Sequence, residues 1–365
     1  MKLSYRRSGV DYNLLDPAKR LGQKAGIGTA YILNKTGYRE VEESRGETAY
    51  LIEGPECYYA LVEEGLGTKN LVADETGKIT GKTYYDVVAY DTVAAIINDL
   101  ITVGAKPLTV LAYWAVGDSA WMKDEKRMKD LVYGWKKACL DSKATWGGGE
   151  TPSMNDIVFK ETINLAGAGF GVIKPKNKLI LGEKIRVGDV IVMFESNGIH
   201  ANGLSLARKI TSKTERGYAS KLPSGKIYGE ALLVPTIIYA KLIQNLFRNN
   251  IEIHYMANIT GHGWRKIMRA NRNFTYLIER LPYIPEVFHF IQQKSNLSDQ
   301  EMYATFNMGA GFAIYVPKKD AENVVEIARK NKIKAWIAGR VEKGEKQVII
   351  KPKNICYKEN DLKIR

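Results

Sequence analysis

The stretch YDTVAAIINDLITVGAKPLTVLAYWAV, residues 90–116, sets the fold class. Val93, Ile96, Ile97, Leu100 and Ile101 recur at i, i+3, i+4, i+7 and i+8, which draws one apolar stripe down a helix. Gly104 is a stop signal for that helix, with Pro107 three residues beyond it. Residues 108–116 then read as a buried strand. Asn98 and Asp99 interrupt the apolar stripe. A carboxylate buried there without a partner is costly, so Asp99 either faces solvent or is held by another group. Asp91 is open to the same two readings.

Working outward, 48–53 and 57–63 have strand character. Met128, Leu131, Val132, Trp135 and Cys139 keep helical spacing, and TINLAGAGFGVI (162–173) has the small, apolar make-up of a strand in a crowded sheet. The segment KPKNKLILGEKIRVG (174–188) is rich in Lys and Gly and reads as a boundary. It divides the chain into an N-terminal domain, 1–175, and a C-terminal domain, 176–365. The second half offers strands at 190–194, 275–278, 311–316, 335–341 and 347–350, with helices near 202–211, 229–248, 285–294 and 321–330. Each half mixes strands with helices, so the class is α/β (α+β). The first forty-five residues, with Gly22, Gly26, Gly28 and Gly37, read as an irregular arm.

Composition narrows the function. The 365 residues suffice for two domains of about 150 residues. No run of 18 apolar residues exists; the nearest candidate, 87–105, carries Asp91, Asn98 and Asp99, so no membrane span is expected. MKLSYRRSGVDYN lacks a following apolar segment, so no signal peptide is expected. Cys57, Cys139 and Cys356 form no CxxC pair, which fits a reducing cytoplasm. The net charge of +14 is dispersed, as on a lysine-rich surface or a protein handling phosphate-bearing ligands. Without a zinc-finger, RNP1 or helix-turn-helix signature, no nucleic-acid partner is expected.

Several segments carry possible chemistry. In Glu64-Gly65-Leu66-Gly67-Thr68-Lys69, two glycines let a phosphate approach backbone N–H groups, Lys69 offers a charge, and Glu64 suits Mg²⁺. The same residues also read as a hairpin turn with a solvated lysine. Gly147, Gly148 and Gly149 bring backbone close to a neighbour and present Glu150, or form a plain loop. In Asn197-Gly198-Ile199-His200-Ala201-Asn202-Gly203, a strand-to-helix turn aims N–H groups at an anion, and His200 is a proton or hydrogen-bond donor or a structural histidine. Ile259-Thr260-Gly261-His262-Gly263 is a further glycine-rich turn.

Their order along the chain is more specific than any one of them. SGVD (8–11), EGLGTK (64–69), INDL (97–100), GGET (148–151), HANGLSLARKI (200–210), LLVPTIIY (232–239), ITGHG (259–263) and EMYATFNMGAGFAI (301–314) together resemble the aminoimidazole ribonucleotide synthetases, the phosphoribosylformylglycinamidine cyclo-ligases. The resemblance implies a homodimer of two-domain subunits, in which N-terminal domains build a shared β-barrel and the C-terminal domain is an α+β layer. It implies ring closure of formylglycinamidine ribonucleotide, a nucleotide substrate, with ATP and Mg²⁺. The formyl oxygen is phosphorylated and the amidine nitrogen then displaces phosphate. Carried onto this sequence, Glu64, Asp99 and Glu150 are the acidic metal ligands, and Gly65, Gly67, Thr68, Lys69, Gly148 and Gly149 hold the nucleotide. Asn202, Gly203, Thr260 and Gly261 touch substrate, and His200, Asp99 and Glu150 are catalytic. The alternatives are a related ATP-dependent kinase or synthetase acting on another small substrate, or a silent nucleotide-binding homologue. The sequence departs from the family pattern at Glu64, an Asp in the family, at ETPSMN (150–155), at Ala201 and Asn258, and in lacking the glycine-rich arm over 22–46.

Overall fold

A computed structural model describes residue 9 and residues 11–362. Most of SGVD (8–11) and of the basic start considered for a signal peptide therefore lies outside the described residues. The helices are α1 (Tyr12–Ile27), α2 (Tyr31–Asn34), α3 (Lys69–Thr80), α4 (Tyr85–Leu100), α5 (Glu125–Ser142), α6 (Leu204–Ile210), α7 (Tyr228–Leu232), α8 (Ala240–Arg248), α9 (Glu286–Ser295), α10 (Asp299–Thr305) and α11 (Ala321–Lys330). The first six strands are β1 (Arg39–Glu40), β2 (Tyr50–Glu53), β3 (Tyr58–Gly65), β4 (Lys106–Val116), β5 (Thr145–Glu150) and β6 (Ile163–Ile173). They form one sheet in the order β1-β2-β3-β6-β4-β5. The remaining strands, β7 (Val190–Glu195), β8 (Tyr255–Asn258), β9 (Phe274–Ile278), β10 (Ala310–Val316), β11 (Ala335–Lys343), β12 (Gln347–Ile350) and β13 (Ile355–Lys358), form a second sheet in the order β13-β12-β9-β11-β7-β10-β8. The gap between the sheets, after Ile173 and before Val190, contains the boundary read at 175/176.

In the first sheet, β6 is central and pairs antiparallel with β3 and β4. Its residues alternate between buried and more exposed along the whole strand. The buried face lies under α4, whose Val93, Ile96, Ile97 and Leu100 are fully buried, as their spacing requires. The other face carries Leu61, Leu111, Ala166, Ala168 and Phe170; Leu61 is 40% exposed and Leu111 45%. In the second sheet β10 is buried at every position between β7 and β8, which explains its unbroken apolar sequence. No helix among the described residues is long and apolar enough to cross a membrane.

Three sequence expectations are corrected. The arm before residue 45 is not irregular throughout: Tyr12–Ile27 is helical, with Pro17 inside it. The helix expected over 229–248 is two, α7 and α8. Pro235 holds the chain between them extended, since proline supplies no backbone N–H and disfavours helix at the residue before it. The glycine turn at 65–68 opens helix α3, which has no continuous apolar stripe to announce it.

Candidate active site

One helix face joins the two halves. Asp91, Asn98 and Asp99 stand at i, i+7 and i+8 on α4, and all three are buried. The Asp91 Oδ1 accepts from the Thr236 N–H at 2.7 Å, and its Oδ2 accepts from the Lys69 ammonium. Asn98 donates to the Ile237 carbonyl at 2.8 Å and accepts from the Tyr239 N–H at 3.0 Å. The extended segment 233–239 is thus a strap tied to α4. Lys69 is wholly buried and also donates to the carbonyls of His200 at 2.9 Å and Val234 at 3.1 Å. An ammonium has three protons, and these three acceptors use them. The expectation that Lys69 meets phosphate is therefore not met: the lysine anchors the glycine turn, the His200 turn and the strap to one another.

Beside that anchor lies an acid pair. The Asp99 Oδ1 accepts from Asn258 Nδ2 at 2.6 Å, and the Glu64 carboxyl lies close enough to feel the Asp99 charge. Burial and then the charge on Asp99 push Glu64 up to about 8. The buried Lys266 donates to Thr260 Oγ1. Burial lowers its pKa, while Asp99 and Glu64 act the other way. Arg269 donates to the Gly46 carbonyl at 3.0 and 2.9 Å and lies 3.6 Å from Glu47. Sequence reasoning missed Lys266 and Arg269; the signal was RKIMR (265–269), three basic residues that begin one residue after the glycine-rich turn.

The turn before α3 is open. Gly67 has φ +74° with nothing within 4 Å of where a Cβ would stand. Thr68 makes no capping bond, and its Oγ1 is buried without a partner among the described residues. The first-turn N–H groups of a twelve-residue helix and this hydroxyl form a cradle for an anion. Across from it, Asn202 Oδ1 accepts from the Gly261 N–H at 3.1 Å, so the turns holding Asn202, Gly203, Thr260 and Gly261 meet. His200 is buried with φ +58°, and burial followed by the Lys69 charge lowers it to about 3. It is a neutral imidazole whose Nε2 has no partner among the described residues. His262, lowered to about 2 chiefly by burial, has its Nε2 3.7 Å from Asp16, which brings α1 against this turn.

Glu150 does not join the acid pair. Glu64 lies level with Gly167, Gly167 with Ala112 and Ala112 with Gly149, so three strand spacings, roughly 14 Å, separate β3 from β5. A bulge between Val110 and Ala112 then sets Glu150 opposite Tyr113, on the sheet face away from α4. A Cβ on Gly149 would stand 2.1 Å from the Ala112 carbonyl oxygen, so this glycine serves the close approach of the two strands. Among the described residues no group of three or more His, Cys, Asp and Glu could hold a metal ion. Mg²⁺ is commonly held by one or two carboxylates with phosphate oxygens completing its shell, which Glu64 and Asp99 fit and the trio with Glu150 does not.

Comparison with known proteins completes the picture. The family models described as AIR synthase related protein, N-terminal domain, and AIR synthase related protein, C-terminal domain, match residues 46–173 and 186–351. The chain belongs to the AIR synthase related family. The phosphoribosylformylglycinamidine cyclo-ligase of Methanococcus maripaludis (strain C6 / ATCC BAA-1332) is 35% identical over 341 residues, covering 93% of this chain and 92% of that protein. That of Methanocaldococcus jannaschii is 39% identical over 292 residues, 80% of each. Among solved structures, AaThiL complexed with AMPPCP and TMP superposes with a TM-score of 0.57 at 16% identity, over 86% of this chain and 90% of that one, which shows the shared fold.

Two predictions follow for this AIR synthase related chain. Lys69→Ala leaves Asp91 buried and unpaired, so unfolding free energy falls by about 3–5 kcal/mol in a urea titration; an unchanged midpoint removes the anchor. Glu64 binds its proton more tightly folded than unfolded, so its contribution is present below 4.5 and lost as pH rises to about 8. Calorimetry at acid and alkaline pH will therefore find the wild type losing melting temperature relative to Glu64→Gln over that window. A gap that stays constant contradicts the proton-sharing pair.

Proposed function

We propose that this chain is an ATP-dependent cyclo-ligase that closes the imidazole ring of formylglycinamidine ribonucleotide, giving aminoimidazole ribonucleotide, ADP and phosphate. The observation that carries the reading is the convergence, at one domain junction, of the anion cradle at 65–68, the Glu64–Asp99 pair and the joined turns at 200–203 and 259–263. The cyclo-ligase relatives, aligned over most of the chain, support it, and AaThiL, of the same fold, is complexed with an ATP analogue.

In this reading the formyl oxygen attacks the γ-phosphorus of ATP and ADP leaves. The amidine nitrogen then attacks the activated carbon, phosphate leaves, and the nitrogen gives up a proton. The α3 N-terminus and Thr68 bind phosphate oxygens. Glu64 and Asp99 hold Mg²⁺, which when bound neutralises charge on the phosphates. Arg269 and, while it keeps its proton, Lys266 add positive charge near the pair. His200, held neutral, offers a hydrogen bond to the substrate oxygen rather than the charged acid expected of a solvated histidine. Asn202, Gly203, Thr260 and Gly261 wall the substrate. Glu150 is read as a residue of the open sheet face.

That face supports a homodimer. Leu61, Leu111, Ala168 and Phe170 make an apolar surface on a sheet that no helix among the described residues covers on that side, and pairing two such faces would bury it about a two-fold axis as a shared barrel. The free thiols of Cys57, Cys139 and Cys356 support a cytoplasmic setting.

Incubating purified protein with ATP, Mg²⁺ and formylglycinamidine ribonucleotide is expected to yield the aminoimidazole product. ADP without that product points instead to a related enzyme acting on another small substrate. Asp99→Asn should lower turnover on the order of a hundredfold without lowering the melting temperature; parallel losses would make Asp99 a structural residue. Light scattering should return a dimer of the 40.9 kDa chain, and Leu61→Asp with Leu111→Asp should return monomer. A wild-type monomer that is active at the same concentration defeats the dimer.

A further inference from the structure

The start of β8 is held by a charged cluster outside the site described above. His254 directly precedes that strand and is buried. Its Nδ1 lies 2.7 Å from Asp189 Oδ2 and its Nε2 3.2 Å from Glu252 Oε1. Asp189 is buried as well, whereas Glu252 is half-exposed. An ionised carboxylate only accepts, so a ring that serves both offers a proton from each nitrogen and is an imidazolium. The other charges of the cluster are Arg186, whose Nε is 3.7 Å from Asp189 Oδ1, and Lys319, whose charge reaches Glu252. Burial disfavours the charged ring, but the Asp189 and Glu252 carboxylates outweigh it, and the pKa of His254 is raised. Glu252 is lowered in turn, chiefly by His254.

The cluster sits where β8 is least supported. That strand is the edge of the second sheet and pairs only with β10. Its far end is Asn258, which holds Asp99, and the turn at 259–263 follows directly. At its near end the His254 N–H donates to the Tyr315 carbonyl at 2.8 Å. Asp189 is anchored elsewhere. Its carbonyl accepts from the Val341 N–H of β11 at 2.8 Å, and its Oδ2 accepts from the Arg186 N–H at 3.0 Å. The imidazolium thus ties a strand with a single ladder to a loop fixed on β11.

We propose that His254 is a proton-operated clamp that seats β8, and so a positioning residue for Asn258, Asp99 and the turn at 259–263. When the ring gives one proton to water, Nε2 presents a lone pair to Glu252, which can turn outward. The buried Asp189 then keeps only the exposed Arg186 as a nearby cation among the described residues, and an under-compensated buried charge is costly. The folded ring binds its proton more tightly than the unfolded one. The clamp is therefore whole below 6.5 and is lost as pH rises above that, through the folded value. Its bearing on catalysis rests on the function proposed above, whereas the clamp itself is a property of the fold.

The test is hydrogen exchange of the full chain between pH 6 and 9, corrected for the chemical exchange rate. Protection over 255–258 should fall with rising pH by up to about tenfold per unit within the window, one proton being released, while β7 and β11 hold theirs. Glu252→Gln, a change at a half-exposed position, should narrow that window, and His254→Gln should abolish the dependence. Nitrogen-15 spectra of ring-labelled histidine at pH 6.5 should show His254, assigned by its shift in Glu252→Gln, carrying both protons. A neutral ring at that pH overturns the proposal. So does protection that ignores pH, or a pH dependence that Glu252→Gln and His254→Gln leave intact. A chain that follows the expected pattern yet forms no aminoimidazole product loses the function proposed above and keeps the clamp.

Discussion

The buried pair of Lys69 and Asp91 is the constraint on which the rest depends. Neither charge touches water, so each must be satisfied by the protein. Asp91 takes the Thr236 N–H as well as the ammonium, and Lys69 takes two carbonyls from the second half. Four segments far apart in sequence are thereby fixed to one point: the turn that opens α3, the α4 helix, the His200 turn and the strap. Such a pair contributes little net stability over an apolar replacement, because desolvation offsets the attraction. What it contributes is geometry. Any arrangement of the two domains that separates Lys69 from the His200 and Val234 carbonyls leaves two of its ammonium protons without acceptors.

That geometry explains what was legible in the sequence and what was not. The α4 stripe, the β4 and β6 strands and the order of elements near the C-terminus could be read because periodicity and glycine spacing are local properties. Lys69 was misread because a lysine after a glycine turn has one local pattern and two fates, and only the positions of His200 and Val234, more than a hundred residues away, decide between them. Glu150 was misplaced for a related reason. A single bulged residue in β5 turns its side chain to the opposite face, and nothing in GGGE distinguishes that from regular pairing. Lys266 and Arg269 went unread because a basic run after a glycine turn has no local mark of burial, and only the fold brings Lys266 into the interior.

The acid pair and the cations around it form a balanced set rather than a collection of separate residues. Two carboxyls buried side by side cannot both ionise cheaply, so Glu64 retains a proton well above the usual range. Lys266 is pressed the other way, toward losing its proton, by the same burial. Each is restrained by the other, and Asn258 fixes Asp99 with a hydrogen bond that carries no charge. An asparagine at 258 suits this arrangement, since a further cation beside Lys266 and Arg269 would tip the set positive. A dication or a phosphate entering the site thus meets groups poised to exchange protons with little movement of backbone.

The strap shows how one segment can serve two faces. Its backbone N–H and C=O groups turn toward α4 and complete the anchor, which leaves Ile237 and Ile238 half-buried at a cleft between α4, α5 and α8. Pro235 keeps the segment extended, so that these two sets of groups stay on opposite sides. Had 229–248 continued as one helix, its polar backbone would have been consumed internally and neither Asp91 nor Asn98 would have found a partner there. The break between α7 and α8 is therefore a structural requirement of the domain junction, and the buried polar residues of α4 are its counterpart in the other half of the chain.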